Sequence, residues 1–212
     1  MDLPLIRKLK KKEYIDKGVL QDILMSIIYN IEPKAVLHGG TCLWRCFKGN
    51  RFSDDLDFYF IPQKDFKTKF ESELKTRGLT LTKYKTTKNT IFSKITDGRT
   101  DVKLEASFQE KQGTLTKYEL IDGSFMDILS LTPKECFFEK LDTYKNRRLI
   151  RDIYDLYFLS NILTFNQDEK NKIKKFLKKL EEPLDTDNLS TIILVGLTPT
   201  FKDIILKLKR LI

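Results

Sequence analysis

The sequence predicts an α/β (α+β) chain, with a small core of strands and helices over residues 1–125 and a helical lobe over 126–212. Three observations carry this. Short period-2 segments crowd the stretch before residue 125, alternating as side chains do on half-buried strands. Beyond Thr132 the apolar residues recur at helical spacing instead. Between them lies LHGGTCLWRCFKGNRFSDDLDFYF, Leu37 to Phe60. There a strand runs into Gly39-Gly40-Thr41, a short helix follows, and Ser53-Asp54-Asp55-Leu56-Asp57 opens a second strand.

Each element has its own signal. Glu13 to Asn30 carries apolar residues at Tyr14, Ile15, Val19, Leu20, Ile23, Leu24, Ile27 and Ile28, a helical stripe that Pro33 ends. Ala35–Leu37 is short and apolar, hence a buried strand. Asp57–Ile61 is the second strand, closed by Pro62. Lys64–Arg77 reads as a charged amphipathic helix stopped by Gly78. Period-2 segments follow at Leu79–Lys85, Thr90–Thr96 and Arg99–Phe108, with Asp97-Gly98 as a hairpin turn between the last two. Lys117–Ile121 adds an edge strand. Thr132-Pro133-Lys134-Glu135 combines an N-cap, a proline at the first helical position and a glutamate within reach of the cap. Further helices are expected at Leu149–Leu163, Asp168–Glu181 and Pro199–Leu211, with Glu182–Ser190 as a polar connection. The only biased tract is the lysine-rich helix at Lys170–Lys179.

Composition narrows the function classes. The 212 residues suffice for a real core, and 39 Lys and Arg against 30 Asp and Glu leave a net charge of +9. That excess favours a polyanionic partner, RNA or a nucleoside triphosphate, although lysine also serves plain solvation. No apolar run is long enough to span a membrane, and Met1–Lys12 lacks the apolar centre of a signal peptide. Three cysteines without disulfide spacing fit a reducing cytoplasm.

The chemistry concentrates in two places. Asp55 and Asp57 project to one face of a strand while Leu56 turns to the core. Paired carboxylates repel, so a fold that holds them together usually has a cation to bind. Gly39 and Gly40 leave backbone N–H groups uncovered ahead of a helix start, which suits a phosphate. On Arg99–Phe108, Asp101, Lys103 and Glu105 share one face; Glu105 is a candidate third metal ligand, and a solvated charge ladder is the alternative. Ser53 either caps the strand entry or contacts a phosphate. A phosphoryl group on it would crowd the carboxylates with negative charge, an expectation that a fully active Ser53→Glu enzyme would refute. Farther on, Lys140 lies among Phe137, Phe138 and Leu141 and is expected to reach inward, as a point charge for a triphosphate. Asp152 and Asp155 are three apart on one helix face. One is expected to hold Lys140 or act as a base, the other to pair with Arg151. His38, Cys42 and Cys46 lack a fourth zinc ligand and read as buried core thiols beside a phosphate-loop histidine. Trp44, Tyr154, Tyr157 and Phe158 read as core.

Gly39, Gly40, Thr41 and Leu43, then Arg51, Phe52, Ser53, Asp55, Leu56 and Asp57, resemble the first motif of the AbiEii/AbiGii toxin family, the type IV toxin–antitoxin nucleotidyltransferases of the polymerase-β-like superfamily. Lys140 and Arg151-Asp152-Ile153-Tyr154-Asp155-Leu156 resemble its later motifs, so the likeness spans Leu37 to about Leu159. It implies a polymerase-β-like core with a short mixed sheet, and a helical C-terminal lobe completing the active site. It also implies NTP-dependent nucleotidyl transfer assisted by Mg²⁺ or Mn²⁺, to an acceptor such as the 3′ end of tRNA, and a cognate antitoxin. Under it, Gly39, Gly40, Thr41, Arg51, Ser53, Lys140 and Arg151 bind the nucleotide. Asp55, Asp57 and Glu105 hold metal, and Asp55, Asp57, Lys140, Asp152 and Asp155 are catalytic. Asp152 is favoured over Asp155 as the base or as the partner of Lys140. The chain departs from the family in its shortness, lacking the long C-terminal extension of many members. Two other readings use the same residues: a metal-dependent phosphodiesterase, and a non-catalytic RNA-binding domain that kept the fold.

Overall fold

The computed structural model describes residues 4–212, so the first three residues of the segment screened for a signal lie outside the described residues. Elements run in the order α1 (Leu5–Lys8), α2 (Lys12–Ile31), β1 (Val36–His38), α3 (Gly39–Cys46), β2 (Leu56–Tyr59), α4 (Phe66–Thr76), β3 (Thr80–Thr86), β4 (Thr90–Thr96), β5 (Asp101–Ser107), β6 (Thr114–Glu119) and β7 (Phe125–Ser130). Then come α5 (Pro133–Arg147), α6 (Ile150–Leu159), α7 (Gln167–Lys178), a 3₁₀ turn at Thr186–Asn188, α8 (Leu189–Ile192) and α9 (Phe201–Lys209). Residues 4–48 and 52–131 form one compact unit, and 49–51 with 132–212 form another.

The first unit is a mixed seven-stranded sheet in the order β3-β4-β5-β2-β1-β7-β6. Its pairings are antiparallel except β2–β5 and β1–β7. Alternation decides its faces. Leu56, Phe58, Val102, Leu104, Ala106, Ile91 and Ile95 are buried, together with Leu24, Ile27 and Ile28 of α2 and Phe66, Phe70 and Leu74 of α4. The intervening residues Asp57, Tyr59, Lys103 and Glu105 keep partial or full exposure. That open face carries the charged residues.

Several expectations shift. β2 starts at Leu56 and stops at Tyr59, rather than running from Asp57 to Ile61, because its ladder to β5 ends with Tyr59 opposite Ser107. Val19 is 44% exposed, so it stands off the stripe it seemed to join on α2. Tyr157 and Phe158 are likewise half-buried, whereas Trp44 and Tyr154 are core. Phe125–Ser130 is a strand that the sequence did not announce. It pairs parallel to β1, which makes residues up to Leu131 part of the sheet and moves the division from 125/126 to 131/132. The polar connection at Glu182–Ser190 contains the 3₁₀ turn and the start of α8.

In the second unit, α5 begins as the sequence predicts. The Thr132 hydroxyl accepts from Glu135 N–H at 3.3 Å, and the Glu135 carboxylate accepts from Thr132 N–H at 2.8 Å. Pro133 occupies the first turn, where its missing N–H leaves no bond unmade. Thr132→Ala should therefore cost about 1 kcal/mol. Urea unfolding followed by circular dichroism should show a lower midpoint for Thr132→Ala and near-recovery for Thr132→Ser.

Candidate active site

The first unit gathers the predicted carboxylate face from three strands. His38 of β1 stands opposite Asp57 of β2, and Asp57 stands opposite Glu105 of β5. The three therefore form one row across the sheet. Asp55, two residues before Asp57, lies on the same side, where Lys103 Nζ approaches its Oδ1 at 3.9 Å. The chain turns sharply beside this row. Gly39 has φ +73°, a conformation costly to residues with a Cβ, and a Cβ there would come within 2.3 Å of Asp57 Oδ2. The bare Cα at Gly39 thus makes the space in which the Asp57 carboxylate sits. α3 opens at that same glycine, and no side chain caps it, so its first-turn amides have no partner within the helix.

The loop carrying the acids is pinned along its length. Gln21 Nε2 donates to the Ser53 carbonyl at 2.8 Å, Lys17 Nζ reaches Asp54 Oδ1 at 2.9 Å, and Thr41 Oγ1 donates to the Asp55 carbonyl at 2.6 Å. This revises the reading of Thr41, whose buried hydroxyl is a strut for the Asp55 backbone and leaves only its amide for a phosphate. Gln21 escaped the sequence reading because its partner is 32 residues away; its burial on an otherwise apolar face was the available signal. His38 also stacks on Tyr59, with ring centroids 3.9 Å apart and planes at 9°. Cys42 is buried and Cys46 half-buried, in keeping with core thiols.

Hard carboxylate oxygens along Asp55, Asp57 and Glu105 suit a magnesium-class cation in donor chemistry, and the Gly39 gap leaves the central one room. They are aligned rather than gathered. Among the described residues, no three His, Cys, Asp or Glu side chains form a group that could hold a metal ion, so the expected trio is not preassembled.

The second unit holds a buried ionic network, by itself. Asp155 takes the Arg51 fork on both oxygens, at 2.6 and 2.7 Å, and Lys140 Nζ at 2.8 Å. Asp152 takes Lys140 Nζ at 2.7 Å and Arg147 Nε and Nη2 at 2.7 and 2.8 Å. Lys140 does reach inward, as expected, but its ammonium is shared between the two carboxylates. The partner of the pair is not Arg151. That residue bonds to neither acid, and its buried Nε has no hydrogen-bond partner among the described residues. Arg147 takes its place at Asp152 and Arg51, 104 residues away in the chain, takes it at Asp155. Burial alone would raise the Asp152 carboxyl, but the Arg147 hydrogen bonds and the Lys140 charge overcome it and hold the group well below the usual carboxylate range. Such an acid is a poor proton acceptor and a good anchor. Burial likewise works against the Arg51 charge, and Asp155 raises it back above its ordinary value.

A family model described as "Nucleotidyl transferase AbiEii toxin, Type IV TA system" matches residues 23–203. No curated protein matches the sequence. Among solved structures, JHP933 from Helicobacter pylori is 20% identical with a TM-score of 0.65, over 95% of this chain and 90% of that one. A candidate nucleotidyltransferase from H. pylori is 22% identical with a TM-score of 0.62, over 95% of this chain and 93% of the other. At these identities the two structures show a shared fold, which fits the predicted nucleotidyltransferase class.

Two outcomes follow from this geometry. Gly39→Ala combines a left-handed backbone with a clash on Asp57, so it should lose about 1 kcal/mol or more and displace the carboxylate; urea unfolding and an activity assay read the two effects separately. The depressed Asp152 carboxyl stabilises the fold above the unfolded-state value of about 4, and the stabilisation fades as pH falls through the lower folded value. Thermal unfolding of the wild type should weaken progressively below about pH 4. Asp152→Asn should be less stable at pH 7, by about 3–5 kcal/mol, with a shallower acid dependence.

Proposed function

The chain belongs to the AbiEii nucleotidyl transferase toxin family of type IV toxin–antitoxin systems, and from that premise we propose that it transfers a nucleotide from an NTP to RNA on the Asp55–Asp57 face of the sheet. It is a nucleotidyltransferase by family. The finer reading, an RNA acceptor such as the 3′ end of tRNA, draws support from the net charge of +9. The observation that carries the site is the placement of Asp57, level with His38 and Glu105 and seated against the bare Cα of Gly39.

In this reading the first-turn amides of Gly39, Gly40 and Thr41 bind the triphosphate, using the positive end of α3. Asp55 and Asp57 would hold a divalent cation, with Glu105 beside them. When bound, that ion would offset phosphate charge and lower the pKa of an acceptor hydroxyl. The acceptor oxygen forms a bond to the α-phosphorus, the bond to the β-phosphate bridge breaks, and pyrophosphate leaves with its electron pair. The hydroxyl proton passes to a carboxylate of this face. Asp152 and Asp155 are positioning residues here: they fix Lys140 and the Arg51 that precedes Ser53 and Asp55 in the chain. The three cysteines, Cys42, Cys46 and Cys136, form no disulfide and suit the reducing cytoplasm in which such a toxin, restrained by its antitoxin, would meet tRNA.

Purified protein incubated with Mg²⁺, total tRNA and each α-labelled NTP in turn should put label into RNA and release pyrophosphate. Asp57→Ala should fall to background. Phosphodiester cleavage without pyrophosphate would favour a phosphodiesterase, and label on no RNA would move the acceptor to protein or a small molecule.

A further inference from the structure

The buried Arg51 and Lys140 of the second unit are engaged by Asp152 and Asp155, but a separate set of cations is not. A cavity of about 630 Å³ is lined by Lys145 and Arg148 at the end of α5, and by Lys172, Lys175, Lys178 and Lys179 along α7 and just past it. One carboxylate, Glu181, shares this lining. It is already bonded to Arg148 at 2.5 Å. Lys145 pairs with Asp142 at 2.7 Å, and Lys172 lies over the Phe138 ring at 5.6 Å. Lys175, Lys178 and Lys179 have no carboxylate within ion-pair distance among the described residues.

Like charges three and four apart on a helix repel. The negative end of α7 relieves this only for the last turn, at Lys175 and Lys178. A concave floor built on Phe176 and Tyr144 adds a low-dielectric wall, which focuses the positive potential. The chain thus maintains a repulsive, concave cluster that a polyanion would relax.

We propose that this groove binds RNA through its phosphodiester backbone, holding the acceptor of the transfer reaction; the acceptor role rests on the reading above, the binding itself does not. The lining chemistry favours RNA over an acidic protein. Five of its six cations are lysines, mobile point charges that grip phosphate without fixed geometry, as backbone contact requires. The planar fork, which grips carboxylate and phosphate alike, belongs only to Arg148, which is already turned to Glu181 and the Glu182 carbonyl.

The test uses the full chain and fluorescein-labelled tRNA, with anisotropy measured from 50 to 200 mM KCl. Lys172→Gln/Lys175→Gln/Lys178→Gln is compared with Lys67→Gln/Lys69→Gln/Lys75→Gln, which removes equal charge from α4. The α7 variant should bind at least about tenfold more weakly at low salt, with its salt slope reduced by about 2. The α4 variant should change less than about twofold. In the transfer assay the α7 variant should raise KM for RNA and leave kcat unchanged. Equal weakening by both variants, or an unchanged α7 variant, overturns the proposal. So does poly-glutamate displacing tRNA from the wild type at matched charge, which would mark an acidic-protein surface. Wild-type protein that binds tRNA through α7 yet labels none refutes the RNA-acceptor reading and supports the groove as an RNA site.

Discussion

The reactive face depends on one backbone constraint: β2 is hydrogen-bonded on both edges, antiparallel to β1 and parallel to β5. A one-residue slip would turn Asp57 into the core and Leu56 out of it. Leu56 and Phe58, both fully buried, oppose that slip. The same register that satisfies the core thus sets three titratable side chains in a row, and Gly39 leaves the space the central one needs. Bringing carboxylates together costs electrostatic energy. The two ladders, the Thr41 strut and the bonds from Gln21 and Lys17 supply the rigidity that keeps them together.

The second unit solves a different problem. Its buried ions are not a straightforward source of stability, because desolvation offsets the attraction. Their effect is on geometry. Arg51 is forked onto Asp155, Arg147 onto Asp152, and Lys140 bridges the two acids, so every oxygen is engaged. Removing any member leaves a buried charge short of its partner. Arg51 is notable for its origin: with Gly49 and Asn50 it belongs to the second unit, although the chain on both sides of it belongs to the first.

Local rules made much of this legible. The glycine pair, the alternation around Leu56, the hairpin at Asp97-Gly98 and the capping box at Thr132 are all short-range signals, and the structure contains each of them. β7 was not legible, for a physical reason. Phe125 is 58% exposed at one end while Ile128 and Ser130 are buried near the other, so no clean period of two appears. What makes it a strand is tertiary pairing: antiparallel to β6 along all six residues and, at its far end, parallel to β1 about ninety residues earlier. Lys140 was readable as inward-facing from its apolar neighbours and as the partner of Asp152, although it also serves Asp155; the arginine partner of the acids was misassigned. Arg151 was expected to pair with whichever acid Lys140 left, but Asp155 takes Arg51 from 104 residues earlier in the chain and Asp152 takes Arg147 beside Lys140.

That misassignment bears on which positive charges the second unit can offer a ligand. A lysine in a motif that resembles the family's invites the role of phosphate binder, but Lys140 already donates to two carboxylates that a ligand would have to displace. Arg51 is in the same position. Among the cations without such ties are surface lysines of α7, which the sequence presents only as a biased tract. Charge available for recognition is therefore a property of pairing and not of motif. In this chain, the motif cations Lys140 and Arg51 fix geometry through their acids, and lysines outside the motif carry charge that is not so tied.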